Sequence, residues 1–284
     1  MIPATFEYHS PRSLREAIDL LSAKEDVKIL AGGQSLVPLM KLRLAKPKHL
    51  IDLGRIPGLN TIKEQGDSIF IGALTTYAEL ESSELLRRRC PLLPQTASTI
   101  GDVQVRSRGT IGGSLAHADP AGDLPAAVLA LGAEIKAVGP RGERWIRTED
   151  FFFGLLMTAL GPDEILTDIK VPVLERARTA YLKAAQRTSG FAVVGVAACL
   201  KLDPAGGCEE IALGITGVTD KTYRPDDVET RLRGKKLETK LIEEAASGVC
   251  RNVDVLDDIN GSKEYRTHLA RVYTFRAIEA ALRA

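Results

Sequence analysis

The stretch RGTIGGSLAHADPAGD, from Arg108 to Asp123, places a Gly–Gly pair among hydroxyl residues and follows it with one histidine and two aspartates. A shorter counterpart, ILAGGQSL, lies far upstream from Ile29 to Leu36. Adjacent glycines after an apolar run let the backbone take up φ > 0 and approach a ligand closely. Successive N–H groups in such a turn make a concave anion site, and a helix beginning there adds partial positive charge. Thr110, Gly112, Gly113 and Ser114 supply one such wall, and Gly32 to Ser35 another. Two walls suit a pyrophosphate better than a lone phosphate. Either pair also reads as a plain tight turn. Asp123 suits hydrogen bonding to hydroxyls such as those of a ribose, whereas Asp119, in a DP pair, reads equally as a turn opener.

Other chemistries are excluded by spacing. There is no GxxxxGK[ST], and neither glycine pair fits GxGxxG, so a P-loop enzyme or a Rossmann dinucleotide site is unsupported. GGQS and GGSL are not GxSxG elbows. No HExxH occurs and the remaining histidines lie far apart in sequence, so no metal site is expected. The four cysteines, Cys90, Cys199, Cys208 and Cys250, are scattered without CxxC spacing, so the chain carries no thiolate-held iron–sulfur cluster of its own. A net charge of +1 gives no general reason to bind nucleic acid or an anionic membrane. No run approaches the roughly 20 apolar residues of a membrane span. The N-terminus lacks a secretory pattern. A cytoplasmic location is expected.

At 284 residues the chain has room for two domains. Ser10 as cap and Pro11 at the first position predict an amphipathic helix over HSPRSLREAIDLLSA. VKILA is a short strand running into Gly32–Gly33, SLVPLMKLRLA a short helix, and HLIDLG the next strand, making a β-α-β unit around the glycine turn. DSIFIGALTTYAEL reads as a strand and then a helix capped by Thr75 or Thr76. PLLPQTASTIG is helical, and Asp102 to Leu115 alternates extended pieces with turns. DLPAAVLALGA is a helix with Asp123 near its start, followed by a hairpin around Pro140–Gly142. Beyond a boundary near Leu174 to Ala177 the chain is β-rich, then mostly helical from Asp227, ending in a long helix from about Lys263.

Two segments carry a family resemblance: AGGQSLVPLMKLRLAKPKHLIDL and IGDVQVRSRGTIGGSLAHADPAGDLPAAVLALGAE. They resemble the two FAD-binding signatures of the medium, flavoprotein subunit of molybdenum hydroxylases, the carbon monoxide dehydrogenase and xanthine dehydrogenase family. GALTTYAEL, DEILTDIKVP and INGSKEYRTHLARV extend the resemblance over essentially the whole chain. It implies an α+β protein: a two-subdomain FAD-binding fold of the vanillyl-alcohol-oxidase (PCMH) type over 1–175, with subdomains at about 1–56 and 57–175, then an α+β C-terminal domain over 176–284. FAD would be held non-covalently. Ala31, Gly32, Gly33, Gln34 and Ser35 would cradle its pyrophosphate together with Thr110, Ile111, Gly112, Gly113 and Ser114. Gln34 departs from the histidine common at that position, which matters little where a backbone group makes the contact. Asp123 would bind the hydroxyl-bearing linker, Ile100 and Leu166 would lie near the rings, and Lys183 would stand near the isoalloxazine. His117 could contact the flavin or its phosphates, or be a structural histidine.

The resemblance also implies a division of labour. A large molybdopterin subunit would hydroxylate the substrate, and a small subunit with two iron–sulfur clusters would relay electrons. This chain's FAD would pass them to an external acceptor, within a dimer of heterotrimers. No residue here is expected to act as acid or base on the organic substrate. A stand-alone flavin oxidase or dehydrogenase, or a non-catalytic FAD-binding accessory protein, are the competing readings.

Overall fold

The computed structural model describes residues 2–284. The chain opens with β1 (Glu7–His9), α1 (Leu14–Ala23), β2 (Val27–Leu30), α2 (Leu36–Lys41) and β3 (His49–Asp52). β3 is central, parallel to β1 on one side and β2 on the other. The apolar stripe of α1 buries Ala17 and Ile18 against Ile51 and Leu53. This helix starts later than its Pro11 suggests. Ser13, not Ser10, caps it by accepting from the Glu16 N–H, and Glu16 in turn accepts from the Arg12 N–H. SLRE is thus a variant of the capping box that outcompetes the upstream serine. The edge strand β1 is too short and too exposed to leave a hydrophobic pattern, and the sequence gives no sign of it.

A second sheet follows, with α-helices inserted after its second strand. The order along the chain is β4 (Ile62–Gln65), β5 (Ser68–Gly72), α3 (Tyr77–Ser82), α4 (Glu84–Arg89), α5 (Leu92–Ser98), α6 (Val103–Arg106), α7 (Ile111–His117) and α8 (Asp123–Ala130). Then come β6 (Glu134–Gly139), β7 (Gly142–Arg147), the small ribbon of β8 (Phe152–Gly154) and β9 (Met157–Thr158), and β10 (Ile165–Pro172). The sheet is antiparallel in the order β4-β5-β10-β6-β7. Thr76 caps α3 in a full capping box with Glu79. The stretch from Asp102 to Leu115 is not extended pieces and turns. Asp102 caps α6 and Thr110 caps α7, so two short helices occupy it. Glycines lower helix propensity, and here the caps override them.

The last part is an antiparallel sheet, β11 (Arg178–Ala185), β12 (Ala192–Leu202) and β13 (Cys208–Thr216), followed by α9 (Asp226–Leu232), α10 (Thr239–Ala246) and α11 (Lys263–Arg283). On one face of β12, Val194, Val196 and Ala198 pack in a core with Ala270, Ala277 and Ile278 of α11. On the other face, Ala197 joins the core of the FAD-signature half, with Tyr181 beside it. Between them and α5 runs α8, buried along its whole length. A helix apolar all round belongs in an interior, and its alanines let it sit close to the sheet. The architecture is α+β, as the sequence implies.

That closeness is set at Gly214 of β13, where a Cβ would overlap the Ala126 carbonyl oxygen of α8. Gly214→Ala is therefore expected to destabilise the chain by about 1–3 kcal/mol through overpacking, read as a lowered urea midpoint with an unchanged slope.

Candidate functional site

The first glycine turn leaves the end of β2. Gly33 sits at φ +75°, a left-handed conformation that redirects the chain into α2. Gly32 lies against the second signature. A Cβ on it would overlap the Arg108 carbonyl and stand 2.9 Å from the Gly109 Cα. Among the described residues, no protein acceptor takes the N–H of Gly32, Gly33, Gln34 or Ser35. Four consecutive N–H donors are thus left without a protein acceptor, the backbone arrangement that an anion cradle requires.

The second wall is built differently. The Thr110 hydroxyl accepts from the Gly113 N–H at 3.1 Å, while the Ile111 N–H donates to the Thr75 carbonyl at 3.0 Å. The Gly112 N–H donates to the Ala73 carbonyl at 2.9 Å, and the Ser114 N–H to that of Thr110 at 3.0 Å. The amides of Ile111, Gly112, Gly113 and Ser114 are therefore already engaged. Of the five residues expected to hold an anion here, only Thr110 keeps its N–H without a protein acceptor among the described residues. Gly112 is a packing glycine, its absent Cβ standing 2.5 Å from Ala73 Cβ. The absent Cβ of Gly113 would lie 3.6 Å from Ala31, across the gap between the turns. What this wall offers is hydroxyls, those of Thr110 and Ser114.

Between the walls is a cleft of about 490 Å³, within the range of small-molecule sites. Ala31, Gly32, Gly33, Gln34, Ser35, Thr110, Gly112, Gly113, Ser114, His117 and Leu166 all line it. Burial and the nearby Lys28 lower the His117 pKa despite Asp119, so its imidazole is neutral at pH 7. A neutral ring can hydrogen-bond a ligand without adding charge.

Four predicted residues lie elsewhere. Ile111 is in the core, and Ile100 packs at its margin with its carbonyl bonded to Arg106. Asp123, the first residue of α8, is only 6% exposed. Its Oδ1 accepts from the Tyr181 hydroxyl at 2.6 Å and its Oδ2 from Lys183 Nζ at 3.0 Å. Lys183 also donates to the Gly190 carbonyl at 2.7 Å. Burial pushes the Asp123 carboxyl up, against the opposing pull of Lys183 and Tyr181. Separated in sequence, the two charges gave no sign of being partners.

The lining also includes Lys28 and Tyr77, to which the sequence assigned no role. Lys28, on β2, is a cation within the cleft wall. Tyr77, first residue of α3, has its ring against Gly109, where a Cβ would not fit. Burial raises its pKa to about 12, so the hydroxyl beside Ser114 stays protonated. At the rim, Arg144 grips Glu164 through two bonds of 2.8 and 2.7 Å and holds that carboxyl at about 2.

Residues 4–174 match the family described as "FAD binding domain in molybdopterin dehydrogenase", and residues 179–281 the "CO dehydrogenase flavoprotein C-terminal domain". The glyceraldehyde dehydrogenase medium chain of Sulfolobus acidocaldarius is 38% identical, covering 98% of this chain and 99% of its own length. The carbon monoxide dehydrogenase medium chain of Hydrogenophaga pseudoflava is 39% identical, covering 99% and 98%. A solved structure of carbon monoxide dehydrogenase from Hydrogenophaga pseudoflava, lacking the Mo-pyranopterin moiety, superposes with a TM-score of 0.96 at 40% identity over 99% of this chain and 98% of that one. The chain belongs to the family of FAD-binding medium subunits of molybdenum hydroxylases. FAD is its cofactor and oxidoreduction its class of chemistry. The residues fit that group: a glycine cradle that a Cβ would fill, and four amides without a protein acceptor.

The buried pair makes its own prediction. Lys183→Met strands the Asp123 carboxylate and is expected to cost about 3–5 kcal/mol in urea unfolding. Adding Asp123→Asn should recover part of that loss, a coupling that a double-mutant cycle reads directly.

Proposed function

We propose that this chain is the electron outlet of a three-subunit molybdenum hydroxylase, binding FAD between its two glycine turns. The observation that carries the reading is the row of unpartnered amides from Gly32 to Ser35, facing the Thr110 and Ser114 hydroxyls across the cleft. FAD, when bound, supplies the capacity to take up electrons singly and release them in pairs. The Gly32–Ser35 amides hold the pyrophosphate, with Lys28 adding the positive charge that neutral donors lack. Thr110 and Ser114 complete the shell as hydroxyl donors. Leu166 packs against a ring within the cleft, and Ile100 supports the wall from the core side.

Asp123 and Lys183 do not line the cleft itself, so in this reading the cofactor extends beyond it, bringing its linker to Asp123 and its isoalloxazine to Lys183. Each Asp123 oxygen accepts one bond within the protein, so each retains a position for a cofactor hydroxyl. Lys183 spends two of its three N–H donors on Asp123 and Gly190 and keeps one. The pair thus fixes the ammonium while leaving it a donor to give. Residues 1–175 form the FAD-binding domain, with subdomains at about 1–56 and 57–175, and 176–284 the C-terminal domain.

The partners in this reading are a small subunit with two iron–sulfur clusters and a large molybdopterin subunit, assembled as a dimer of heterotrimers in the cytoplasm. The names of the relatives support it, since each is a medium chain of a dehydrogenase. No helix among the described residues is long and apolar enough to cross a membrane. The test is native purification followed by an absorption spectrum, metal analysis and identification of co-purifying chains. Flavin bands with iron, molybdenum and two further polypeptides are expected. A flavin-bearing lone chain that turns over a substrate by itself would favour the stand-alone oxidase instead. A colourless chain that cannot be reconstituted with FAD would overturn both.

Within that assembly, Gly32→Val forces the two turns apart and should abolish flavin retention, while Ser114→Ala should weaken it several-fold, about 1 kcal/mol for one hydrogen bond. The readout is flavin absorbance per chain after gel filtration, with circular dichroism showing that both variants remain folded.

A further inference from the structure

Sequence spacing argues against a metal site, yet the fold gathers three side chains with metal-ligand chemistry at the far end of the first sheet. β1 and β3 are parallel, with Glu7 registered against His49. Glu7 and His9 are two residues apart on one strand, so they share a face of the sheet, and the register puts His49 on that face as well. Three ligand atoms converge there. Glu7 Oε2 lies 3.2 Å from His49 Nδ1 and 3.8 Å from His9 Nε2, and the two ring nitrogens are 3.2 Å apart. The imidazoles are largely covered, at 19% and 17% exposure, while Glu7 is open to solvent at 68%.

Those separations are informative. A cation about 2.0–2.1 Å from each of three tetrahedral ligands sets them roughly 3.3 Å apart. The triangle here already has that size. Ring protons alone cannot satisfy it. If only His49 Nδ1 carries a proton, one N–H must serve both Glu7 and His9; if both facing nitrogens carry one, two N–H groups oppose each other across 3.2 Å. If His49 Nδ1 carries none, its lone pair faces the Glu7 carboxylate across 3.2 Å. A single divalent cation at the centre satisfies all three atoms at once. Two imidazoles with one carboxylate favour a borderline metal such as Zn²⁺ over Ca²⁺ or Mg²⁺, which take oxygen ligands.

We infer that Glu7, His9 and His49 form a zinc-type divalent metal site that ties the edge strand β1 to β3. The site owes nothing to the FAD reading. His49 stands beside Val27 at the start of β2, whereas the Gly32–Ser35 turn follows the opposite end of that strand. Its role is structural. β1 pairs with one neighbour through only three residues, and terminal segments of that kind fray unless tied down. Lys24 works against the site, its Nζ 3.9 Å from Glu7 Oε2, where it competes for the carboxylate.

The experiment is calorimetric titration of the chelator-stripped full-length chain with ZnCl₂. Saturable uptake of one Zn²⁺ per chain is expected, with a rise in the thermal unfolding midpoint that chelator reverses. Glu7→Gln and His49→Gln should each weaken binding by more than the roughly 10–100-fold that losing an outer-shell partner costs. Lys24→Met should tighten it. Glu7 is exposed, so Glu7→Gln tests the ligand set without endangering the fold, and equal unfolding midpoints in chelator would verify that. Absence of saturable uptake, or uptake unchanged in both ligand variants as cysteine binding would give, overturns the inference.

Discussion

The cleft depends on one backbone contact. Gly32 lies so close to the Arg108–Gly109 peptide that no side chain of any size fits between them. Through it the end of β2 is held against the segment that caps α7, and two signatures far apart in sequence become the walls of one site. Overpacking here cannot be absorbed by rotating a side chain, because both surfaces are main chain. Gly109 repeats the device one residue on, its missing Cβ filled by the Tyr77 ring. The second turn is thereby pinned from two directions, by the first turn and by α3.

Because of that pinning, the two walls can divide their work. The second wall spends the amides of residues 111–114 on the protein, on Ala73, Thr75 and Thr110, and becomes rigid. The first wall keeps its amides unspent. A turn carrying four unpartnered N–H groups is costly unless solvent or a ligand meets them. Held in place by a rigid neighbour, it can present them without collapsing onto its own carbonyls. The near-neutral lining, with Lys28 its added cation and His117 uncharged, suits a ligand bound through directional donors rather than bulk charge.

The strands β2, β3 and β5, the hairpin around Pro140–Gly142, the β-rich stretch after it, the long last helix and the glycine turn after β2 were legible because local chemistry fixes them: alternation, a turn residue, a helical stripe. The family signatures carried the cofactor. What escaped was whatever depends on a distant partner. GGSLAH looked like a loop because glycines are poor helix formers, and only the Thr110 cap with Ala73 and Thr75 as acceptors makes it a helix. Asp123 and Lys183 were each read as facing a ligand. Neither residue type reveals that Tyr181 and the Gly190 carbonyl complete a buried pair between them. β1 escaped for the same reason, since three residues, two of them exposed, define a strand only once β3 lies alongside.

The buried pair shows why a flavoprotein would keep such an arrangement. An isolated ammonium cannot be held in an interior, since desolvation would strip its proton or pull the side chain out to water. Lys183 is 7% exposed on β11, and its Nζ is set between Asp123 Oδ2 and the Gly190 carbonyl. Asp123 is the first residue of that helix, where the helix dipole favours a carboxylate, and the Tyr181 hydroxyl takes up its other oxygen. The charge is thus fixed by three elements, α8, β11 and the loop at Gly190, before any cofactor arrives. Preorganisation of this kind lets a cation stabilise negative charge that develops later without moving to meet it.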